Sequence, residues 1–308
     1  MTAAGRYLCT GVSWDDDGPY LALSTPEGAR ERRRLDAGTA LAYRVLPGDG
    51  GALKYCLGSV KVQDRHTRIH EPCPGHAPAD RGYQCGPCFA RDDWRLVHNS
   101  HRSGLASAGL KLYLAQPHWL YVATFADGAT KVGTAADGHK RLRLTEQGAV
   151  AARYVARAED GRVVRVLEDL VTAEAGLVQA VRAEAKTAAL ARPLAPDVLT
   201  HINSGHAAAV RQLLRASGTE GFSVTEETWQ RPDQALTVLG AAGAAPYPLD
   251  PGSGEHGLLI EAMLGAAALV RVEGSDTPFV ANLARLKGRR LHTGPYRTRL
   301  PALQAALF

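Results

Sequence analysis

Cys56, Cys73, Cys85 and Cys88 are four of the five cysteines in this chain, and they fall within 33 residues. The last two form a Cys-x-x-Cys knuckle, Cys85-Gly86-Pro87-Cys88. Two intervening residues let both sulfurs reach one ion at about 2.3 Å, the zinc–thiolate distance. Loops of 16 and 11 residues would return the other two thiols. Pro72, Pro74, Gly75, Pro78, Gly82, Gly86 and Pro87 surround the knuckle, as a turn-built metal loop requires. The spacing predicts a closed, structural zinc site, because four protein ligands leave no open coordination position. His66, His70 and His76 lie between the thiols, so a Cys3His set is the main variant; disulfides and unligated thiols are the plainer alternatives.

A second set of reactive side chains lies between residues 118 and 190. Lys131 and Gly133 fall two apart on an expected strand and so point to one face, with Gly133 leaving room for a ligand to approach. Val164, Glu168 and Val171 share one i, i+4, i+7 helical stripe, which puts a carboxylate beside apolar positions. Such a carboxylate needs a partner, either an ion, Arg141 or another salt bridge. Arg141 and Arg143 belong to the basic run Lys140–Arg143. His118 and His139 are close by, and Cys9 reads as a core thiol.

The elements that must position these groups are legible here. Trp119–Phe125 is a strand, Asp127-Gly128 a hairpin turn and Thr130–Thr134 the returning strand. A short basic helix over Lys140–Glu146 stops at Gly148, and Ala151–Ala158 is a third strand. Asp160-Gly161 opens a long helix, along which Val163, Leu167, Val171, Leu177 and Val181 recur, ended by Pro193 and Pro196. A further helix is expected over 206–216, with Asn203 or Ser204 capping it.

Outside this block the N-terminal part reads as β. Tyr20–Ser24 and Leu41–Leu46 are bounded by turn signals, including the Pro-Gly-Asp-Gly-Gly run at 47–51. A polar link with His98, Asn99 and His101 follows the cysteine loop. Near the C-terminus Leu269–Val272 and Phe279–Leu283 predict another hairpin. The fold class is α+β. The expected division is a β-rich zinc-binding domain over 1–110, a ββαβα domain over 111–195, and an α/β part over 196–308 that packs on the first.

This block from Leu120 resembles the GIY-YIG endonuclease domain, in the divergent form whose second motif reads Lys-Val/Ile-Gly. Tyr121 stands for the first-motif tyrosine and Lys131-Val132-Gly133 for the second motif. Arg141, eight residues after Gly133, matches the helix arginine, and Glu168 the metal-binding glutamate. Taken whole, the chain is similar to the uncharacterised bacterial family termed domain of unknown function 2797. The cysteine loop, Glu146–Ala149 after the Lys-Val-Gly segment, and the Asn282 to Gly288 region carry that likeness.

The resemblance implies magnesium or manganese held by Glu168, phosphate charge stabilised by Arg141, and hydroxide generation assisted by Tyr121. Gly133 and Arg143 would line the substrate. Lys131 replaces the family's second tyrosine; it would contact phosphate as a point charge or lower the pKa of Tyr121. The expected function is therefore that of a nucleic-acid-processing, divalent-metal-dependent phosphodiesterase. The alternatives are a non-catalytic, zinc-containing nucleic-acid-binding protein and a scaffold recruited for small-molecule biosynthesis.

Composition sets outer bounds. At 308 residues the chain exceeds what one core supports, and 45 % hydrophobic with 22 % charged residues is ordinary for a globular protein. No apolar run reaches the ~18 residues of a membrane span. Met1 to Gly18 lacks a secretory layout, so a cytoplasmic, reducing location and no membrane partner are expected. Formal net charge is +5, and a tetrathiolate zinc site would lower it to about +3. Local basic groups (Arg30–Arg34, Lys140–Arg143, Lys287–Arg290, Arg297 and Arg299) are thus the better pointers to nucleic acid.

Overall fold

The computed structural model describes residues 5–48, 54–97, 100–241 and 243–301. The end of the 47–51 turn signal, along with His98 and Asn99, lies outside the described residues. The chain forms two compact units, one of Met1–Tyr55 with Gln234–Phe308 and one of Cys56–Asp233.

In the first unit β1 (Gly5–Asp15), β2 (Gly18–Ser24), β3 (Arg30–Arg34) and β4 (Ala40–Val45) come from the N-terminal stretch. They join strands that follow residue 233, described below, so the unit is discontinuous in sequence. In the second unit β5 (Ser59–Val62) and β6 (Arg68–Glu71) form a hairpin beside the cysteine loop and α1 (Gly86–Arg91). Then come α2 (Ser100–Ser103), α3 (Ala108–Leu114), β7 (His118–Thr124), β8 (Thr130–Ala136), α4 (Lys140–Gln147), β9 (Ala151–Ala158) and α5 (Gly161–Ala175). It closes with α6 (Ala183–Ala189), α7 (Pro196–Ala216) and β10 (Phe222–Val224). The chain then returns to the first unit through α8 (Gln234–Leu239), β11 (Ala245–Pro246), β12 (Glu255–Leu264), β13 (Ala267–Arg271), β14 (Phe279–Asn282) and β15 (Arg290–Thr293).

Among the described residues, nine strands make the sheet of the first unit, in the order β11-β14-β13-β12-β4-β15-β1-β2-β3. The expected β13–β14 hairpin is present, with Leu269 opposite Val280. The strands β4 and β1 pair with β12 and β15, two hundred residues and more away. That pairing explains why boundaries at 110 and 195 are not where the chain divides. The cysteine loop is not part of the N-terminal β unit. Its hairpin belongs to the central one, where Gly109 packs so tightly on β5 that a Cβ would stand 1.7 Å from the Val62 carbonyl oxygen.

The basic edge strand β3 is largely neutralised at home. Arg32 and Arg34 pair with Asp15 at 3.0 and 2.6 Å and lie over the Tyr20 ring. Arg297 likewise pairs with Glu273 at 3.1 Å. These runs are therefore weaker electrostatic footprints than their sequences suggest.

The second unit is built on an antiparallel sheet ordered β10-β9-β7-β8. Strand alternation sends Leu120, Val122 and Val132 to one side, where Val164, Leu167 and Val171 of α5 and Val210 and Leu214 of α7 bury them. Trp119, Tyr121, Ala123 and Ala135 point the other way, toward Leu144 of α4 and Trp229. The ββαβα order, the Gly148 stop (φ 69°) and the Asp160 cap all match the sequence reading.

Two helix boundaries differ from it. The α5 helix stops at Gly176 (φ 68°), and Val178 runs beside β8 with its carbonyl accepting from Val132 N at 3.0 Å. Apolar periodicity continued through 181, but a left-handed glycine ends a helix regardless. The α7 helix begins at Pro196 rather than 206, since proline at the first helical position loses no hydrogen bond. Asn203 is therefore no cap. Fully buried in mid-helix, it donates to Val122 O and Thr124 Oγ1 (both 3.1 Å) and accepts from Arg153. Among the described residues no helix is long and apolar enough to cross a membrane.

Candidate functional site

The four cysteines 56, 73, 85 and 88 meet as the spacing predicts. All are buried, and their sulfurs lie within 4.8 Å of one another. A tetrahedron of thiolates at the zinc distance has edges of about 3.8 Å, and Cys73 Sγ and Cys85 Sγ are 3.9 Å apart. Cys85 caps α1, Pro87 opens that helix, and Cys88 lies in its first turn. Gly58 (φ 86°) donates its N–H to Cys56 Sγ at 3.3 Å, and a Cβ there would strike the Glu71 carbonyl oxygen at 2.0 Å. Asp92 and Asp93 brace the loop by accepting from Val60 N and Val62 N, each at 3.0 Å. This donor set suits a metal such as zinc. The Cys3His variant is not what the fold assembles: His70 Nε2 turns to the Leu57 carbonyl, and neither His66 nor His76 joins the sulfur group.

The second constellation comes together only in part. Tyr121, Lys131 and Glu168 are all buried, at 0 %, 5 % and 4 % exposure. Tyr121 lies directly opposite Gly133 in the β7–β8 ladder, and its phenol fills the space that Gly133 leaves. Gly133 thus makes room for Tyr121, not for a ligand. No hydrogen bond of good geometry reaches the Tyr121 hydroxyl among the described residues, although the Arg143 side chain stands close enough to act as its donor. Burial raises its pKa and Glu168 adds to that, while the nearby Arg143 and Arg165 guanidiniums oppose it.

Lys131 donates from Nζ to Gln179 O at 2.9 Å and lies 5.6 Å from the centre of the Tyr121 ring. Burial, then the Arg143 charge, pushes its pKa down to about 8, with Arg165 in the same direction and Glu168 opposing. The fold reaches Gln179 because of the break at Gly176, which lays the following segment along β8.

Arg143, not Arg141, is the helix arginine of this cluster. Two residues on an α-helix are about 200° apart, so the pair cannot share a face. Arg143 is half-buried and acts on Tyr121, Lys131 and Lys186. Arg141 is exposed; its charge acts on Tyr154, and its carbonyl accepts from Trp229 Nε1 at 3.2 Å. Arg141, which the eight-residue spacing from Gly133 selects, thus lies on another face of α4 from this cluster.

Glu168 is engaged by Arg165, one helical turn before it, at 2.5 Å. Magnesium or manganese does not fit here. An ion at this lone carboxylate would have to displace Arg165 and face Lys131 and Arg143 besides.

Sequence reasoning missed three contributors. Arg165 carried a signal, the i, i+3 spacing to Glu168. Lys186 carried none, lying in an alanine-rich stretch. Its Nζ donates to Gln147 O at 2.9 Å over the Phe125 ring, and burial, then Lys131 and Arg143, pushes its pKa down to about 7. Gln179 also carried none, and it extends the cluster by donating from Nε2 to Asp169 Oδ1 at 3.1 Å, where His101 and Arg102 bind as well.

Both histidines near the motifs have one ring nitrogen engaged. Buried His118 uses Nδ1 on Gln116 O, and His139 pairs with Glu146 at 3.2 Å. Cys9 is a core thiol as expected, pushed up to about 12 by complete burial.

One centre offers four thiolates to a metal, and among the described residues the other sets Lys131, Arg143, Arg165 and Lys186 beside Glu168. No family model, no curated protein and no solved structure matches this chain.

Proposed function

We propose that this protein binds nucleic acid through the Cys56–Asp233 unit, without cleaving it through a divalent ion. In this reading the GIY-YIG-like ββαβα core contacts phosphate, and zinc on the four cysteines stiffens the loop that precedes it. The observation that carries the proposal is the charge balance of the cluster. Glu168, the carboxylate that acts on Lys131, is also engaged by Arg165, and the charges that act on Lys186 are the cations Lys131 and Arg143. Cations drawn together under partial burial repel one another, and an oxyanion relieves that repulsion while accepting their N–H groups. Phosphate is the anion a ββαβα core of this type would meet.

Fluorescence anisotropy with labelled single- and double-stranded DNA and RNA tests this directly. Binding should weaken steeply between 50 and 200 mM salt, as counterion release requires. Arg143→Glu should lower affinity at every sequence alike. Affinity that ignores both salt and Arg143→Glu would remove the proposal.

A further inference from the structure

The depth of the cluster narrows the kind of phosphate it suits. Tyr121 is completely buried, its hydroxyl near Arg143 but in no hydrogen bond of good geometry, and Lys131 is 5 % exposed. Only Arg143, Arg165 and Lys186 reach partway to solvent. A group that meets Lys131 Nζ or Tyr121 Oη must therefore leave water. An internal phosphodiester carries one charge and brings a sugar on each side. A terminal phosphomonoester carries a charge of about −1.5 to −2 at neutral pH and offers three acceptor oxygens. It also brings chain on one side only.

The donors of the cluster suit that second group. Each ammonium has three N–H bonds. Lys131 spends one on Gln179 O, and Lys186 spends donors on Gln147 O and, at 3.3 Å, on Gln147 Oε1. Arg143 adds a guanidinium fork and Tyr121 an O–H beside it. With Glu168 shared between Arg165 and Lys131, positive charge exceeds negative in the cluster, and a dianion offsets that excess better than a monoanion does. Both lysines have lowered pKa values, the state that a nearby dianion reverses.

We infer that Lys131, Arg143 and Lys186, with the Tyr121 hydroxyl, form a receptor for a phosphomonoester, and that its source is the phosphorylated end of a nucleic-acid strand. The carrier strand rests on the function proposed above; the end group rests on the cluster alone.

The test compares oligonucleotides of one sequence bearing a 5′-phosphate, a 3′-phosphate or hydroxyls at both ends, along with a mononucleotide and inorganic phosphate, against the full chain. One phosphorylated end should bind at least ten-fold more tightly than the hydroxyl-ended strand. Lys131→Met, which keeps the buried stem without the charge, should abolish that ratio while leaving residual salt-sensitive binding. Lys186→Met, at a partly exposed site, repeats the test should the first variant not fold. Equal affinity for phosphorylated and hydroxyl-ended strands overturns the inference and leaves the nucleic-acid reading standing. Binding of mononucleotide or phosphate with no strand binding keeps the receptor and removes its proposed source. No binding of any phosphate removes both.

Discussion

Tyr121 and Gly133 face each other across the β7–β8 ladder so closely that a Cβ on Gly133 would stand 2.5 Å from the phenol oxygen. The glycine is thus a packing partner for the tyrosine, and the two substitutions have opposite expected effects. Gly133→Ala should destabilise the protein by about 1–3 kcal/mol through overpacking. Tyr121→Phe removes a buried hydroxyl that has no hydrogen bond of good geometry, so stability should hold or rise by up to about 1 kcal/mol. The same variant should bind phosphorylated strands less tightly. A marked loss of stability in Tyr121→Phe would mean that the hydroxyl is satisfied in solution.

The divergence of Arg141 and Arg143 on α4 gives a paired test. Arg143→Ala removes a cation from the Lys131 cluster and should weaken oligonucleotide binding by about ten-fold, or 1.4 kcal/mol. Arg141→Ala, from the other face, should change affinity by less than about three-fold. Anisotropy titrations at one salt concentration suffice, and the reverse ranking would restore Arg141 as the site arginine.

Glu168 separates binding from metal-dependent cleavage. If the carboxylate serves only to balance Arg165, then Glu168→Gln frees that guanidinium and should tighten phosphate binding several-fold. Electrophoresis of labelled DNA and RNA with magnesium or manganese should show no cleavage by the native protein. Cleavage that needs the ion and disappears in Glu168→Gln would establish the phosphodiesterase in place of the binder.

Protonation of Lys131 and Lys186 links stability to pH. Their folded values, about 8 and about 7, lie below the ordinary 10.5. The folded state therefore binds fewer protons than the unfolded one across this interval, so their penalty is fullest below about pH 7 and fades toward pH 10.5. Lys186 faces Lys131 and Arg143 and packs on Phe125. Lys186→Met should raise stability by about 1–2 kcal/mol at pH 7, discounted for partial exposure, and by almost nothing near pH 10. Thermal melts at the two pH values decide it; a gain independent of pH would assign the effect to packing. Anion binding at pH 8 should also take up protons, read as a dependence of binding heat on buffer ionisation.

The cysteine centre predicts one zinc per chain by metal analysis. Cys73→Ser should lose the ion and lower the melting midpoint, because a structural site contributes folding free energy directly. Cys9→Ala, which removes a buried thiol from the other unit, should retain the full metal content. Retention of zinc by Cys73→Ser would point to a different ligand set.

Local sequence determined much of this protein. Spacing and turn residues placed the four cysteines, and Asp127-Gly128, Gly148 and Asp160 fixed the ββαβα order, since these features act over a few residues. Burial of Glu168 followed from its helical stripe. Tertiary structure decided the rest. The pairing of β4 with β12 and of β1 with β15 joins the two ends of the chain, and no local pattern encodes such long-range register. Likewise, Arg143 and Lys186 entered the Lys131 cluster through helix rotation and the Gly176 break, and Tyr121 came to fill the hollow of Gly133. Those outcomes depend on which faces pack, and only the folded chain sets that.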